Sequence, residues 1–138
     1  MGNFPKRHAI SRARFFLDLA RGCSIEERDA FEAYLEASII FARTALLRLY
    51  KENKNKSNWK SWWEKASSEP LVKFFQKERN YIVHERPPKV GQIIGAGPKA
   101  ANLYYYENPQ TPATDTVEKH LDAIETLLIE AKSLFSES

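Results

Sequence analysis

Residues 24–53 read SIEERDAFEAYLEASIIFARTALLRLYKEN, and this stretch decides the fold. Ser24 followed by Glu27 is a capping box, the signature of a helix N-terminus. Apolar residues then recur at helical spacing and form one stripe, made by Phe31, Leu35, Ser38/Ile39, Ala42, Leu46 and Leu49. The stretch therefore predicts one long amphipathic helix over about residues 25–52, which must bury its stripe against other helices.

Helical spacing also appears on either side of this helix. Residues 7–21 predict a first helix that stops at Gly22. Residues 58–66 predict a short helix that carries all three tryptophans on one face. A tryptophan face of this kind is first of all a way to pack a short helix on a core, and base stacking is the alternative.

Two further helices follow in the C-terminal half. Ser67-Ser68-Glu69-Pro70 is a strong start signal and predicts a helix over about residues 69–85, which Pro87-Pro88 stops. Asp115, with Glu118 three residues later, predicts the cap of a closing helix that runs to about residue 135.

Residues 87–114 are the irregular stretch of the sequence. Val90–Ile94 and Leu103–Tyr106 are apolar or aromatic runs joined by a glycine-rich turn, which predicts a small β-hairpin or an ordered loop. We therefore expect an all-α fold in a single domain over residues 1–138. It is an up-and-down bundle of four long helices plus a short one, with the hairpin or loop before the last helix.

Composition is that of a soluble globular protein, with 43% hydrophobic and 28% charged residues. No apolar run approaches the ~20 residues that cross a bilayer. The basic N-terminal residues are not followed by the apolar core of a secretory signal. We expect a cytoplasmic protein without a membrane partner.

Charge is unevenly distributed although the net charge is only +3. Residues 1–23 carry +4, residues 53–89 carry +5 and residues 115–138 carry −4. The basic middle suits a partner that bears phosphates. The alternative is a solvated surface with charges that complement helix dipoles.

Several kinds of site are disfavoured by spacing. His8, His84 and His120 lie in separate segments, without the paired spacing of metal ligands. Cys23 has no neighbouring histidine or acid that would activate a thiol. The run from Gly95 to Ala100 matches the letters of a dinucleotide fingerprint, but the long helix that the motif requires does not follow. We expect neither a metal nor a cofactor.

Arg79-Asn80-x-x-x-His84 is the motif best suited to chemistry. On a helix of about 100° per residue, Asn80 and His84 lie about 40° apart, whereas Arg79 lies about 140° from His84. One helix therefore cannot bring Arg79 and His84 to one small group. Two copies of the helix that face each other across a two-fold axis can place both pairs in one cleft.

Metal-independent cleavage of RNA is the reaction that such a cleft favours. A neutral histidine removes the proton from the ribose 2′-hydroxyl, and a protonated histidine donates one to the leaving 5′-oxygen. Arg79 stabilises the charge on phosphorus, and Asn80 orients His84 or holds a phosphate oxygen. The alternative is that Arg79 pairs with a nearby acid and that His84 is a structural residue at a helix end.

The motif and its place late in a helical chain resemble HEPN domains. That resemblance covers most of residues 8–136, with the specific match confined to residues 79–84. It implies a helical homodimer with the motif in the dimer cleft, and commonly a ribonuclease of toxin–antitoxin or defence systems. Arg79, Asn80 and His84 are then the catalytic residues. A cognate antitoxin or a nucleotidyltransferase is the partner that the resemblance suggests.

The resemblance also suggests roles for residues beside the motif and on an earlier helix. Lys77 and Arg86 flank the motif and are expected to contact substrate, and a further polar residue on an earlier helix is either Glu36 or Arg43. Toxins silenced by nucleotidylation carry a tyrosine where this chain has Arg86, so that regulation is not expected.

The sequence is also compatible with two other functions. Some proteins with the HEPN fold are non-catalytic binding or scaffold modules. A general nucleic-acid binder that uses the basic residues 53–89 is the third interpretation.

Overall fold

The computed structural model describes residues 8–70, 72–73, 84–85, 99–100, 104–105 and 110–135 of the chain. The helices within these ranges are α1 (His8–Gly22), α2 (Arg28–Asn53), α3 (Trp59–Ala66) and α4 (Ala113–Phe135). Two short antiparallel strands, β1 (His84–Glu85) and β2 (Tyr104–Tyr105), pair with each other. The predicted all-α class is confirmed, and the strand pair is a small addition to it.

Helix α2 lies at the centre of the core. Every residue of its predicted apolar stripe is buried, from Phe31 at one end to Leu49 at the other. Helix α1 packs on α2, and the buried Ser38 hydroxyl donates to the carbonyl oxygen of Ala13 at 2.8 Å. A stacked ring pair between Phe16 and Phe41, with centroids 5.7 Å apart, extends the same contact.

The turn between α1 and α2 contains the predicted capping box. A 3-10 turn, Ile25–Glu27, follows Ser24 and leads directly into α2. The backbone N–H of Ser24 donates to a carboxylate oxygen of Glu27 at 2.9 Å. That hydrogen bond favours the ionised carboxylate and lowers the pKa of Glu27 below its ordinary value of 4.5.

Two arginines of α1 hold α4 in place. Each guanidinium bridges two carboxylates that are three residues apart on α4: Arg14–Asp122 at 2.8 Å, Arg14–Glu125 at 2.6 Å, Arg21–Asp115 at 3.1 Å and Arg21–Glu118 at 2.5 Å. The contacts run in opposite chain directions, so the two helices are antiparallel. The net positive charge of residues 1–23 and the net negative charge of residues 115–138 therefore meet where α1 packs on α4.

Asp115 has a different role from the predicted one. Helix α4 begins at Ala113, and the carbonyl oxygen of Pro112 accepts from the N–H groups of Asp115 and Thr116. The prediction that Asp115 caps the helix was wrong, because its carboxylate lies in the first turn and is occupied by Arg21. The acid still suits this position, because the first helical turn carries a partial positive charge.

The tryptophan face closes one end of the bundle. Asn58, in the left-handed region at φ 66°, precedes α3. Trp59 is buried and packs on Trp63 and on Phe135, with centroid distances of 5.3 Å in both cases. Trp62 is half-buried and donates its indole N–H to Glu130 at 2.9 Å. The interpretation of these residues as core is confirmed.

The helix predicted over residues 69–85 is confirmed at its start and wrong at its end. Pro70, Val72 and Lys73 are helical, and the Glu69 carbonyl oxygen accepts from the N–H groups of Val72 and Lys73. The last two residues of the predicted helix instead form β1, and residues 74–83 lie outside the described residues. Among the helices that the structure describes, none has the length and apolar character to span a bilayer.

We expect the Glu27→Gln variant to lose an acid-sensitive part of its stability. A lowered pKa means that Glu27 stabilises the fold above its unfolded pKa, near 4.5, and that this contribution disappears as the pH falls through the lower folded pKa. The free energy of unfolding, measured in urea, should differ from that of the wild type at pH 7 and converge with it once the pH lies below the folded pKa of Glu27. Glu26→Gln, at the exposed neighbouring position, is the control; a constant difference at every pH would contradict this account.

Removing the arginine bridges should cost little and depend on salt. We expect Arg14→Met/Arg21→Met to lower the free energy of unfolding by about 1–2 kcal/mol in dilute buffer, because half-exposed ion pairs contribute about 0.2–1 kcal/mol each. At about 1 M NaCl the loss should shrink, since the Debye length falls to about 3 Å. Lys60→Met is the control for charge loss, and an equal effect from that variant would argue against the bridges.

Candidate functional site

His84 lies on strand β1, not on a helix. In the antiparallel register, His84 is opposite Tyr105 and Glu85 is opposite Tyr104. The placement of His84 near the end of a helix was therefore wrong. The predicted separation of about 40° between Asn80 and His84 requires a continuous helix through residue 84, whereas His84 lies on a strand. The sequence held a signal for this, since Tyr81-Ile82-Val83 consists of strand-favouring residue types.

Tyr104 anchors this strand pair to the bundle. Its side chain is 2% exposed, and its ring stacks on Phe31 with centroids 4.8 Å apart. The phenol oxygen accepts from the Nε–H of Arg28 at 3.3 Å and donates to a carboxylate oxygen of Glu32 at 3.0 Å. Strand β2 is thereby fixed on the first two turns of α2, and β1 is fixed through its pairing with β2.

The ionisation of Tyr104 follows from the same contacts. Burial raises the pKa of the phenol, and Glu32 raises it further, whereas Arg28 acts in the opposite direction. The phenol is therefore neutral at physiological pH and can donate to Glu32. The guanidinium carbon of Arg28 also lies 6.0 Å from the centre of the Tyr104 ring, within the range of a cation–π contact.

Residues 99–100 bind to the same corner of the bundle. The N–H of Ala100 donates to the carbonyl oxygen of Cys23 at 3.1 Å, and Lys99 forms an isolated antiparallel bridge with Ser24. Ala100 is fully buried. We call this region, formed by residues 23–32, 84–85, 99–100 and 104–105, the strand corner. Residues 84–85, 99–100 and 104–105, which are distant from α2 in the sequence, meet there at the start of α2.

Cys23 is the one thiol of the chain and lies within the strand corner. It is 4% exposed, and its thiol donates to the carbonyl oxygen of Leu19 at 3.5 Å. Burial raises its pKa, with a further contribution from Glu27. The thiol is therefore protonated at neutral pH and is a packing residue rather than a nucleophile.

The predicted site residues on α2 are Glu36 and Arg43. Glu36 is exposed and Arg43 is half-buried. The polar residues of α2 that bond to Tyr104 are Arg28 and Glu32, which the sequence did not single out as site residues. Glu32 lies one helical turn before Glu36, but nothing local to it reveals a tyrosine 72 residues later as its partner.

The remaining predicted residues lie outside the described residues. They are the catalytic candidates Arg79 and Asn80 and the flanking Lys77 and Arg86. Within the described part of the chain, His, Cys, Asp and Glu side chains form no group of three that could hold a metal ion. Of the three predicted catalytic residues, the structure describes His84, and backbone pairing with β2 places it in the strand corner.

A second concave surface lies beside the tryptophan cluster. It has a volume of about 390 Å³ and is lined by Ser57, Asn58, Ser61, Trp62, Lys65, Leu134 and Phe135. It is open, and neither Glu36 nor Arg43, the predicted site residues whose side chains the structure describes, is among the residues that line it. Lys56, next to it in sequence, is already engaged, since its ammonium donates to the carbonyl oxygen of Phe135 at 2.7 Å.

Comparison of the chain with models of protein families, with curated proteins and with solved structures gave no match.

We expect Tyr104→Phe to lower the free energy of unfolding by about 1–2 kcal/mol, because it removes two hydrogen bonds to charged groups and keeps the ring on Phe31. Urea unfolding measures the difference. Tyr34→Phe, which retains the ring contact with Phe16 at 6.3 Å, is the matched control and should change stability by under about 0.5 kcal/mol. Equal losses in both variants would mean that the phenol contacts of Tyr104 do not hold the strand corner.

Proposed function

We propose that this protein is a metal-independent endoribonuclease of the HEPN type that acts as a homodimer. The observation that carries the proposal is the motif Arg79-Asn80-x-x-x-His84 within a basic stretch of the chain. The position of His84 in the backbone supports it, because β1 pairs with β2, and the buried Tyr104 of β2 bonds to Glu32 of α2. A catalytic imidazole needs such a rigid support to meet its substrate in a fixed geometry.

The reaction needs only groups that the motif and the substrate supply. The imidazole of His84 takes the proton of the ribose 2′-hydroxyl, and the 2′-oxygen attacks the adjacent phosphorus. The bond from phosphorus to the 5′-oxygen breaks, and a protonated imidazole donates a proton to that oxygen. Arg79 stabilises the negative charge on the non-bridging oxygens, and Asn80 orients the phosphate or the imidazole. The products are a 2′,3′-cyclic phosphate and a 5′-hydroxyl.

A homodimer follows from the two proton transfers. The base must be neutral and the acid protonated at the same time, and each subunit carries one histidine in the motif. Two subunits provide two imidazoles that share these roles in one cleft. The basic character of residues 53–89, at +5, favours the approach of a polyanion.

A non-catalytic module with the same fold is the other candidate. It shares the dimer and a bound partner with the first proposal, but it predicts no turnover of any RNA. Steady-state cleavage separates the two. Binding that falls steeply with salt and is unaffected by loss of His84 would instead indicate a general nucleic-acid binder.

We expect His84→Ala to lower the cleavage rate of a mixed-sequence RNA by about 10²–10⁴-fold, and Arg79→Ala by about 10²–10³-fold. The loss follows from removal of the proton-transfer group and of the charge that stabilises the transition state. Gel analysis of end-labelled RNA measures the rate and identifies the terminus.

His8→Ala is the matched control, because it removes an imidazole outside the motif and should leave the rate unchanged. Cleavage should persist in EDTA, and an oligonucleotide with a 2′-deoxyribose at the cleavage site should be resistant. Cleavage that requires a divalent metal, or that survives in His84→Ala, would refute the proposal.

A further inference from the structure

Strand β2 presents two neighbouring tyrosines to opposite faces of the two-stranded ladder. Successive residues of a strand lie on opposite faces of the sheet. Tyr104 faces α2, because its side chain is 2% exposed and its ring stacks on Phe31. Tyr105 therefore lies on the face directed away from the start of α2, and it is half-buried rather than buried. Part of its side chain is packed, and part is accessible.

The strand register pairs Tyr105 with His84 and Tyr104 with Glu85. In an antiparallel pair, directly opposite residues lie on the same face of the sheet, with Cβ atoms about 4.5–5.5 Å apart. Position 84 is thus on the face that carries Tyr105, and position 85 is on the face toward α2. The residue proposed to transfer protons therefore has a tyrosine as its cross-strand neighbour.

We propose that Tyr105 is a substrate-binding residue whose ring stacks on the base of a nucleotide beside the scissile linkage of RNA. Every nucleobase has a face that can stack on an aromatic ring. The 2′-hydroxyl and the leaving 5′-oxygen belong to the two nucleotides that flank the scissile linkage, so a ring next to His84 is placed to meet one of their bases. The nature of the ligand rests on the proposed function, whereas the choice of residue comes from the register of β1 and β2.

The anchoring of β2 fixes the backbone that carries this ring. Tyr104 packs on Phe31 and forms hydrogen bonds with Arg28 and Glu32. The backbone of Tyr105 is therefore in place before a substrate arrives, and the contacts that hold it are on the face opposite the ligand. A ring on a preorganised backbone loses less conformational freedom when a base stacks on it.

Several carboxylates of the strand corner lie on the other side of the ladder from Tyr105. Glu27 belongs to the turn before α2, and Glu32 belongs to α2 and accepts from Tyr104. Position 85, also a glutamate, is on the face toward α2 as well. A base stacked on Tyr105 is thus separated by the ladder from these acids, so its phosphates avoid their closest repulsion.

A purely structural role for Tyr105 makes a different prediction. A tyrosine in a cross-strand pair can stabilise a short ladder without contacting substrate. Loss of the ring would then lower the cleavage of every RNA alike, with or without a base at the site. Stacking instead requires that the effects of the ring and of the base depend on each other. A double-mutant cycle that removes the ring from the protein and one base from the RNA separates the two roles.

We expect Tyr105→Val to lower kcat/KM on a short single-stranded RNA by about 5–150-fold, because the stacked base loses its platform while a strand-favouring residue is kept. Removal of one base beside the scissile linkage, with its ribose intact, should lower kcat/KM of the wild type by a similar factor. The same removal should change kcat/KM of Tyr105→Val by less than about twofold. The two flanking positions are tested separately, and Tyr105→Trp should keep the dependence on the base.

Tyr50→Leu is the matched control. Tyr50 is 40% exposed and packs on Trp59 and Trp63 at the other end of α2. Its loss should leave the ratio of kcat/KM on intact and abasic RNA at the wild-type value. Circular dichroism establishes that each variant is folded. A wild type that is indifferent to both base removals would overturn the inference without any variant, as would full dependence on the base in Tyr105→Val.

The stacking and the ribonuclease fail separately. Cleavage that needs His84 but shows no coupling between Tyr105 and a base refutes the stacking and keeps the ribonuclease. If no RNA is cleaved, the ribonuclease is refuted, and binding decides the stacking. The Kd for an oligoadenylate of about eight nucleotides should then rise by about 5–150-fold in Tyr105→Val, whereas the Kd for an abasic oligoribonucleotide of the same length should not change. Equal changes for both, or binding of neither, would overturn the stacking.

Discussion

Burial of the apolar stripe of α2 is the constraint on which the rest of the architecture depends. Phe31 and Leu35 are fully buried, and side chains of this size contribute about 1.5–3 kcal/mol each when they leave water. Buried residues of α1 and α4 join the stripe in one core cluster, and Tyr104 packs on its start through Phe31. The described elements outside the tryptophan end therefore share one core with α2, and ion pairs with α1 also hold α4.

The strand corner shows how a helical protein can hold a short irregular segment rigidly. Two-residue strands are too short to be stable alone. Here they are fixed because Tyr104 combines ring packing on Phe31 with hydrogen bonds to Arg28 and Glu32. Backbone pairing with β2 extends this support to His84, which lies 20 residues before Tyr104 in the chain.

Local signals predicted most of the helical framework. The capping box at Ser24, the stripe of α2 and the start at Pro70 each depend on residues within a few positions of one another, and each is confirmed. The error at Asp115 has the same origin, since its cap-like spacing is local but its partner Arg21 is 94 residues away.

The candidate site was less predictable because its supports are long-range. Tyr104 bonds to Arg28 across 76 residues, and no periodicity in the sequence encodes that pair. The strand at His84 was missed because helical spacing from Pro70 onward was extended through Tyr81-Ile82-Val83, whose residue types favour a strand. The choice of Arg79, Asn80, Lys77 and Arg86 stays a prediction, as does the role of Glu36 and Arg43.

The grouping of Trp59, Trp62 and Trp63 at one pole of the bundle has a practical consequence for spectroscopy. Indole emission from this chain reports on the docking of α3 against Leu49 and the end of α4, and not on the strand corner. Far-ultraviolet ellipticity, by contrast, is dominated by the three long helices. Coincidence of the two signals during denaturation would show that both poles melt as one cooperative unit, and a gap between them would measure how loosely they are coupled.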